Sequence, residues 1–223
     1  MTKIISLGGS IIVPNEIDVG FLKKFKDMIN DFVSSGEKVV IVTGGGSTAR
    51  KYQKALAEVI GQDQEAMDWV GISATHINAF LLKSIFNDVA ETEIIEDPTQ
   101  EIKFNKKVLL AAGWKPGWST DMDAVLLAEN LKADTVINVS NIDFVYDKDP
   151  NKFDDAKKIE KTSWDGLLEI IGTEWKPGLN APFDPIAAKK AKELGIKAFI
   201  VGKNIENLSN VLKDKEFIGT KIE

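Results

Sequence analysis

Three apolar runs in this chain empty into glycine, and that repeated junction narrows the possible folds more than any other feature. Lys3-Ile4-Ile5-Ser6-Leu7 leads into Gly8-Gly9-Ser10, Val39-Val40-Ile41-Val42-Thr43 into Gly44-Gly45-Gly46, and Val108-Leu109-Leu110 into a loop beginning near Gly113. The second run is β-branched and lacks alternation, as expected of a strand covered on both faces in a parallel sheet. Between the first two runs, Asp18 can cap a helix whose apolar residues Phe21, Phe25, Met28, Ile29 and Phe32 recur at helical spacing, and Gly36 suits a left-handed stop.

The same alternation continues. Helical patterns span about 48–60 and 64–87, and strands are expected near 93–95, 108–110 and 135–139. A Gly-, Trp- and Pro-rich loop at 113–119 precedes a helix at 121–131. Helices near 163–171 and 184–194, a strand at 196–201 and a last helix and strand complete a wound α/β sheet. Trp-Lys-Pro-Gly occurs at 114–117 and 175–178, but the flanks do not repeat and no internal repeat follows. At 223 residues one core suffices, so a single domain over 1–223 is expected.

Composition removes several function classes. There is no cysteine and one histidine, His76, which leaves little material for a zinc or iron–sulfur site or for a Cys–His or Ser–His nucleophile. A net charge of -6 argues against a broad basic face for nucleic acid. The opening apolar run is too short for a signal peptide or membrane span, so a soluble, cytoplasmic protein without a membrane partner is expected. A small anion remains feasible, held by a few cations and by backbone amides at helix N-termini.

In open α/β sheets ligands bind beyond the carboxyl ends of the strands. Glycine permits positive φ and close approach, so amides of Gly8-Gly9-Ser10 and Gly44-Gly45-Gly46 can donate to phosphoryl oxygens. A single glycine pair is explained by a strand-to-helix turn; three converging junctions point to phosphate. Neither a Walker loop nor Gly-x-Gly-x-x-Gly is present. The run from Asp147 fails as a calcium loop, because Lys152 and Lys158 stand where an EF-hand needs Gly and Glu.

Taken in order, Gly8-Gly9-Ser10, Gly44 to Tyr52, Asp68 to Asn78, Pro116 to Asp121, Asn141 to Pro150 and Asp184 to Lys189 resemble the amino acid kinase superfamily, and within it the archaeal-type UMP kinases. The resemblance spans nearly the whole chain. It implies an α/β three-layer αβα sandwich with a mainly parallel central sheet, ATP and Mg2+ as donor and cofactor, phosphorylation of UMP to UDP in pyrimidine nucleotide synthesis, and often a homohexamer. The acceptor site would lie mainly in 1–120 and the ATP site mainly in 121–223.

By the same resemblance, Gly44, Gly45, Gly46, Arg50, Asp68, Gly113 and Thr120 would bind the acceptor nucleotide, Arg50 through its fork on phosphate and Asp68 on ribose. Gly71, Thr75 and Asn78 would shape the nucleoside pocket. Gly8, Gly9, Ser140, Asn141, Asp143, Tyr146 and Asp149 would bind ATP. Lys189, Asp121 and Ser10 would carry the catalytic roles, with Asp121 orienting groups or capping its helix; no side chain is assigned to metal.

The chain departs from the family pattern where lysines are common: Ser6 precedes the first glycine pair by two residues, and Ser47 follows the triple glycine. Lys3 shares the face of Ile5 and not of Ser6. Lys115 is a candidate replacement, although loop lysines are ordinarily solvated. Phe144 replaces a glycine, a change that can constrict or reshape the ATP site. His76 reads as a helix-surface or interface residue. Trp114 and Trp118 can stack on a base or serve packing. Two alternatives stay open: a kinase of the same superfamily with another phosphate or carboxylate acceptor, and a non-catalytic nucleotide-binding or storage homologue.

Overall fold

The computed structural model describes residues 2–150, 152–174 and 181–223; the second Trp-Lys-Pro-Gly lies outside the described residues. Chain order is β1 (Thr2–Leu7), α1 (Gly9–Ile12), α2 (Val19–Ser34), β2 (Lys38–Thr43), α3 (Gly46–Ile60), α4 (Gln64–Ile85), β3 (Ala90–Ile95) and β4 (Val108–Ala111). Then follow α5 (Thr120–Asn130), β5 (Thr135–Val139), β6 (Val145–Tyr146), β7 (Lys158–Ile159), β8 (Lys161–Thr162), α6 (Trp164–Ile171), α7 (Pro185–Leu194), β9 (Lys197–Val201), α8 (Ile205–Leu212) and β10 (Thr220–Ile222).

The main sheet runs β3-β4-β2-β1-β5-β9-β10-β8, and β6 pairs with β7 in a separate ribbon. β3, β4, β2, β1, β5 and β9 are mutually parallel, and β10 runs antiparallel to β9. The chain leaves β1 on the β2 side and later returns on its other side as β5. The carboxyl end of β1 is therefore the topological switch point, where such sheets open a crevice.

Strand residues alternate between two cores. Ile5, Leu7, Val39, Ile41, Val108 and Leu110 face Phe25, Ile29, Leu82, Phe86, Leu208 and Val211 of α2, α4 and α8. Their neighbours Ile4, Val40, Val42, Leu109 and Ala111 face Ala124, Leu127, Trp164, Leu168, Ala187 and Ala191 of α5, α6 and α7. The unbroken apolar run at 39–42 is thus covered on both faces, and helices flank the sheet as a three-layer sandwich. Asp18 caps α2 by accepting from the Phe21 amide at 2.9 Å, and Gly36 takes φ +98° just beyond its end.

The short α1 and the β6–β7 ribbon have no counterpart in the expected pattern, because two to four residues carry no usable period. What positions the site is the contact between the loops after β1 and β2. A Cβ on Gly9 would overlap the Gly46 amide nitrogen and the backbone of Gly44 and Gly45, and one on Gly44 would strike the Gly9 amide nitrogen. Gly46 also sits at φ +65°. Gly9→Ala should destabilise the protein by about 1–3 kcal/mol, since it forces backbone apart in a packed junction. Gly20→Ala, in the first turn of α2 with only the Asp18 carboxylate at 3.5 Å, should be neutral or gain up to about 0.5 kcal/mol. Urea denaturation of both variants checks the pair.

Candidate active site

Each glycine loop continues its strand by one further ladder bond: the Gly8 amide donates to Val139 O at 2.9 Å and the Gly44 amide to Leu7 O at 3.0 Å. The loops then meet at Gly9. Beyond that contact α3 begins, and its first-turn amides at Gly46 and Thr48 have no helical carbonyl to bond. The Ser47 amide and hydroxyl are used elsewhere, donating to Val13 O at 2.9 Å and Asn15 O at 3.0 Å. One turn on, Arg50 Nη1 donates to Ser10 Oγ at 3.2 Å and Nη2 to Pro14 O at 3.4 Å. Gly8, Gly9, Ser10, Gly44, Gly45, Gly46 and Arg50 are therefore neighbours, and the positive end of α3 with its arginine suits an anion.

α4 supports this floor from below. Asn78 Nδ2 donates to Gly44 O at 2.7 Å, and Thr75 Oγ1 accepts from the Gly113 amide at 2.7 Å. Thr43 Oγ1 donates to Thr75 O at 2.9 Å, and His76 Nε2 meets Gly113 O at 3.1 Å. Thr75, Asn78 and His76 thus pin the loops after β2 and β4 to one helix. Asp68, expected on a ribose, has both oxygens engaged: Oδ2 accepts from the Gly117 amide at 2.9 Å and Oδ1 from Gln64 Nε2 at 2.7 Å. It ties the Trp loop to α4, and any ribose contact must exchange with those bonds.

The cap of α5 is Ser119, whose Oγ accepts from the Met122 amide at 3.2 Å; Asp121 is not the cap. Thr120 is the first residue of that helix. Asp121 instead gathers three donors: Ser6 Oγ at 3.0 Å and Asn138 Nδ2 at 2.7 Å on Oδ1, and the Asp184 amide at 3.1 Å on Oδ2. Ser6 and Asn138 are register partners on β1 and β5, so one carboxylate spans the switch point and reaches the start of α7. Asp121 is part-buried; loss of hydration, with the Asp184 carboxylate nearby, pushes it up to about 6 against those donors. Ser6 and Ser47, which stand where lysines were expected, therefore each hold a structural bond. Lys3 turns away to Asp214 at 2.6 Å.

A cleft of about 550 Å³ opens beside β5 and β6. Ser140, Asn141, Tyr146 and Asp149 line it with Pro150, and Ile170, Ile171, Ala181 and Pro182 give it an apolar wall. Asp143, Phe144 and Lys189 stand apart from this cleft. Asp143 lies elsewhere, packed on Gly202 and facing a second cavity with Asn204 and Glu216, because any side chain at 202 would overlap its carboxylate. Phe144 does not constrict the cleft: it is buried, with Lys158 Nζ 5.0 Å from its ring centroid. Lys189 does not line the cleft either, and its Nζ donates to Thr173 O at 2.6 Å; Lys190 pairs with Glu129 at 3.7 Å.

Sequence reasoning overlooked Asp123. It is 1% exposed, and neither carboxylate oxygen has a hydrogen bond of proper geometry. Burial pushes its carboxyl up to about 7; the Trp114 amide and Lys115 act in the lowering direction and Asp121 in the raising one. The available signal was a lone acid among Met122, Ala124, Val125 and Leu127 in a helix of the sheet-covering layer. Among the described residues no cluster of three metal-ligating side chains occurs, and no helix is long and apolar enough to cross a membrane.

The raised carboxyl groups have a signed consequence for stability. Asp121 and Asp123 bind protons more tightly folded than unfolded, so the stability they contribute is complete below pH 4 and is lost as pH rises through about 6 and 7. Asp123→Asn should remove the upper part of that loss and raise unfolding free energy at pH 8 by about 2–4 kcal/mol relative to its effect at pH 4. Denaturation at the two pH values measures it; an unchanged difference would refute the assignment.

The sequence model of the Amino acid kinase family matches residues 1–202. The uridylate kinase of Thermococcus onnurineus is 37% identical over 100% of both chains, and that of Pyrococcus abyssi 36% over 100% of both. The crystal structure of uridylate kinase from Archaeoglobus fulgidus superposes with a TM-score of 0.85 at 34% identity, covering 100% of each chain. UMP kinase from Bacillus anthracis, at 20% identity, shares the fold with a TM-score of 0.79 over 100% of this chain and 95% of its own. The chain therefore belongs to the amino acid kinase family, homologous along its whole length to archaeal uridylate kinases.

Proposed function

We propose that this chain is a UMP kinase, transferring the γ-phosphoryl group of MgATP to the phosphate of UMP to give UDP and ADP. The observation that carries this reading is the glycine junction. It brings Gly8-Gly9-Ser10 on the donor side against Gly44-Gly45-Gly46 on the acceptor side, with Arg50 bonded to Ser10 across them. Two phosphates seated there would lie close enough for direct transfer. An oxygen of the UMP phosphate attacks the γ-phosphorus, the bond to the β-phosphate bridging oxygen breaks, and ADP leaves with the electron pair. No side-chain nucleophile takes part.

Phosphoryl transfer asks a protein chiefly for position and positive charge. In this reading Arg50 and the first-turn amides of α3 hold the acceptor phosphate, Gly113 and Thr120 border the nucleoside, and Ser140, Asn141, Tyr146 and Asp149 receive the adenosine. Asp121 keeps β1, β5 and α7 in register through its three donors, and Lys189, on an exposed turn of α7, swings from Thr173 O to the transferred group. Magnesium enters on the ATP phosphates as part of the substrate. The whole chain acts as one catalytic unit, with the acceptor handled mainly by 1–120 and ATP mainly by 121–223. The same reading makes the enzyme cytoplasmic, a step of pyrimidine nucleotide synthesis, and a homohexamer; exposed Tyr52, Val59 and Ile60 on α3 and Trp69, Ile77 and Phe80 on α4 offer surface for self-association.

Purified protein with ATP and magnesium should convert UMP to UDP, and failure to do so would overturn the assignment. Arg50→Ala should raise KM for UMP about 10–100-fold, the range for losing a charge-assisted phosphate contact, with a smaller effect on KM for ATP. Lys189→Ala should instead lower kcat. Steady-state kinetics with each substrate varied separates the two.

A further inference from the structure

Two groups at the acceptor loop are each missing their natural partner. Lys115 lies on aromatic faces, its Nζ 3.7 Å from the Trp114 ring centroid and 4.6 Å from that of Trp118, while the two indoles meet edge to face at 5.2 Å. Among the described residues no carboxylate is within ion-pairing distance of it. Asp123, 1% exposed beneath the same loop, has two oxygens without a hydrogen bond, and Lys115 is the cation whose charge acts on it. A buried carboxylate without a partner is unfavourable, and an ammonium over an indole blocks that face to a base.

We propose that Asp123 is a positioning residue of the acceptor loop: its carboxylate is a second station for the Lys115 ammonium, and that transfer uncovers the Trp114 and Trp118 faces for the acceptor base. The proposal rests on the reading of this site as a UMP site. Stacking on aromatic faces suits any nucleobase, so the move controls binding more than base choice. Proton balance sets the direction. Burial raises the Asp123 pKa to about 7, so the station is charged above that pH and neutral below it. The charged groups acting on Asp123 are Asp121 on its own helix and Lys115 on the loop. From α7, Asp184 caps its own helix and Lys190 pairs with Glu129, and the nearby parts of β1, β2 and β5 are apolar apart from Ser6, Thr43 and Asn138.

The test begins without nucleotide. Intrinsic tryptophan fluorescence of the wild-type protein should show a transition near pH 7 that is absent from both Asp123→Asn and Lys115→Ala; Asp123→Leu serves as a second removal of the carboxylate should the Asn variant fold poorly. UMP binding by calorimetry follows. At pH 8 Asp123→Asn should bind UMP about five- to tenfold more weakly than wild type, and adding Lys115→Ala should restore affinity to about that of Lys115→Ala alone. Wild-type affinity should fall from pH 8 to pH 6 by more than that of Lys115→Ala, which still reports titration of the UMP phosphate. A double variant as weak as Asp123→Asn, or a fluorescence transition that survives in either single variant, overturns the proposal. Absence of UMP binding by wild type, with the transition intact and lost in both variants, counts against the acceptor assignment while upholding the lysine transfer.

Discussion

The backbone of Gly9 lies directly on that of Gly44, Gly45 and Gly46, with no room for a Cβ on Gly9 or Gly44. Most of the site's geometry descends from this contact. It brings the loop after β1 to the start of α3, lets Arg50 reach Ser10 and Pro14, and leaves the first-turn amides of α3 beside the Gly8-Gly9 pair. Glycine serves two ends at once here: close approach of two backbones, and an amide-lined surface that a phosphate can touch. Asn78 from α4 fastens the same loop at Gly44 O, so the junction is held from both sides.

Across the switch point the work passes to Asp121. Three donors from β1, β5 and the start of α7 converge on it, and its partial desolvation keeps its charge in delicate balance, with a pKa raised to about 6. An ion so placed ties the two halves of the crevice together at the level where phosphates would meet. Its neighbour Asp123, only 1% exposed, lacks those three donors, and its carboxyl is pushed higher, to about 7. Partnered and unpartnered carboxylates two residues apart on one helix divide naturally into a scaffold role and a responsive one.

Much of the fold was legible because it depends on local chemistry. The β-branched run at 39–42, the Asp18 cap and the glycines after Leu7 and Thr43 all report on their own backbone, and the structure follows them closely. For the candidate site, the sequence pointed to glycine loops at Gly8–Ser10 and Gly44–Gly46, and the structure brings those two loops into backbone contact. Side chains reaching across the sheet were harder to place. Nothing local to Ser6 says that it meets Asn138 and Asp121; that follows from strand register, 132 positions apart being irrelevant once β1 and β5 pair. Ser47 likewise looked like a missing cation but anchors α3 to Asn15 O. Asp143 packs on Gly202 and the Lys189 ammonium settles on the Thr173 carbonyl, contacts across the fold that no local pattern announces.

If donor and acceptor phosphates occupy the two sides of the glycine junction at the same time, the phosphoryl group passes directly from one to the other. Initial-velocity kinetics with ATP and UMP varied together test this most directly. Intersecting double-reciprocal lines, with no ADP released in the absence of UMP, are predicted. Parallel lines accompanied by a burst of ADP and a phosphorylated protein would contradict it.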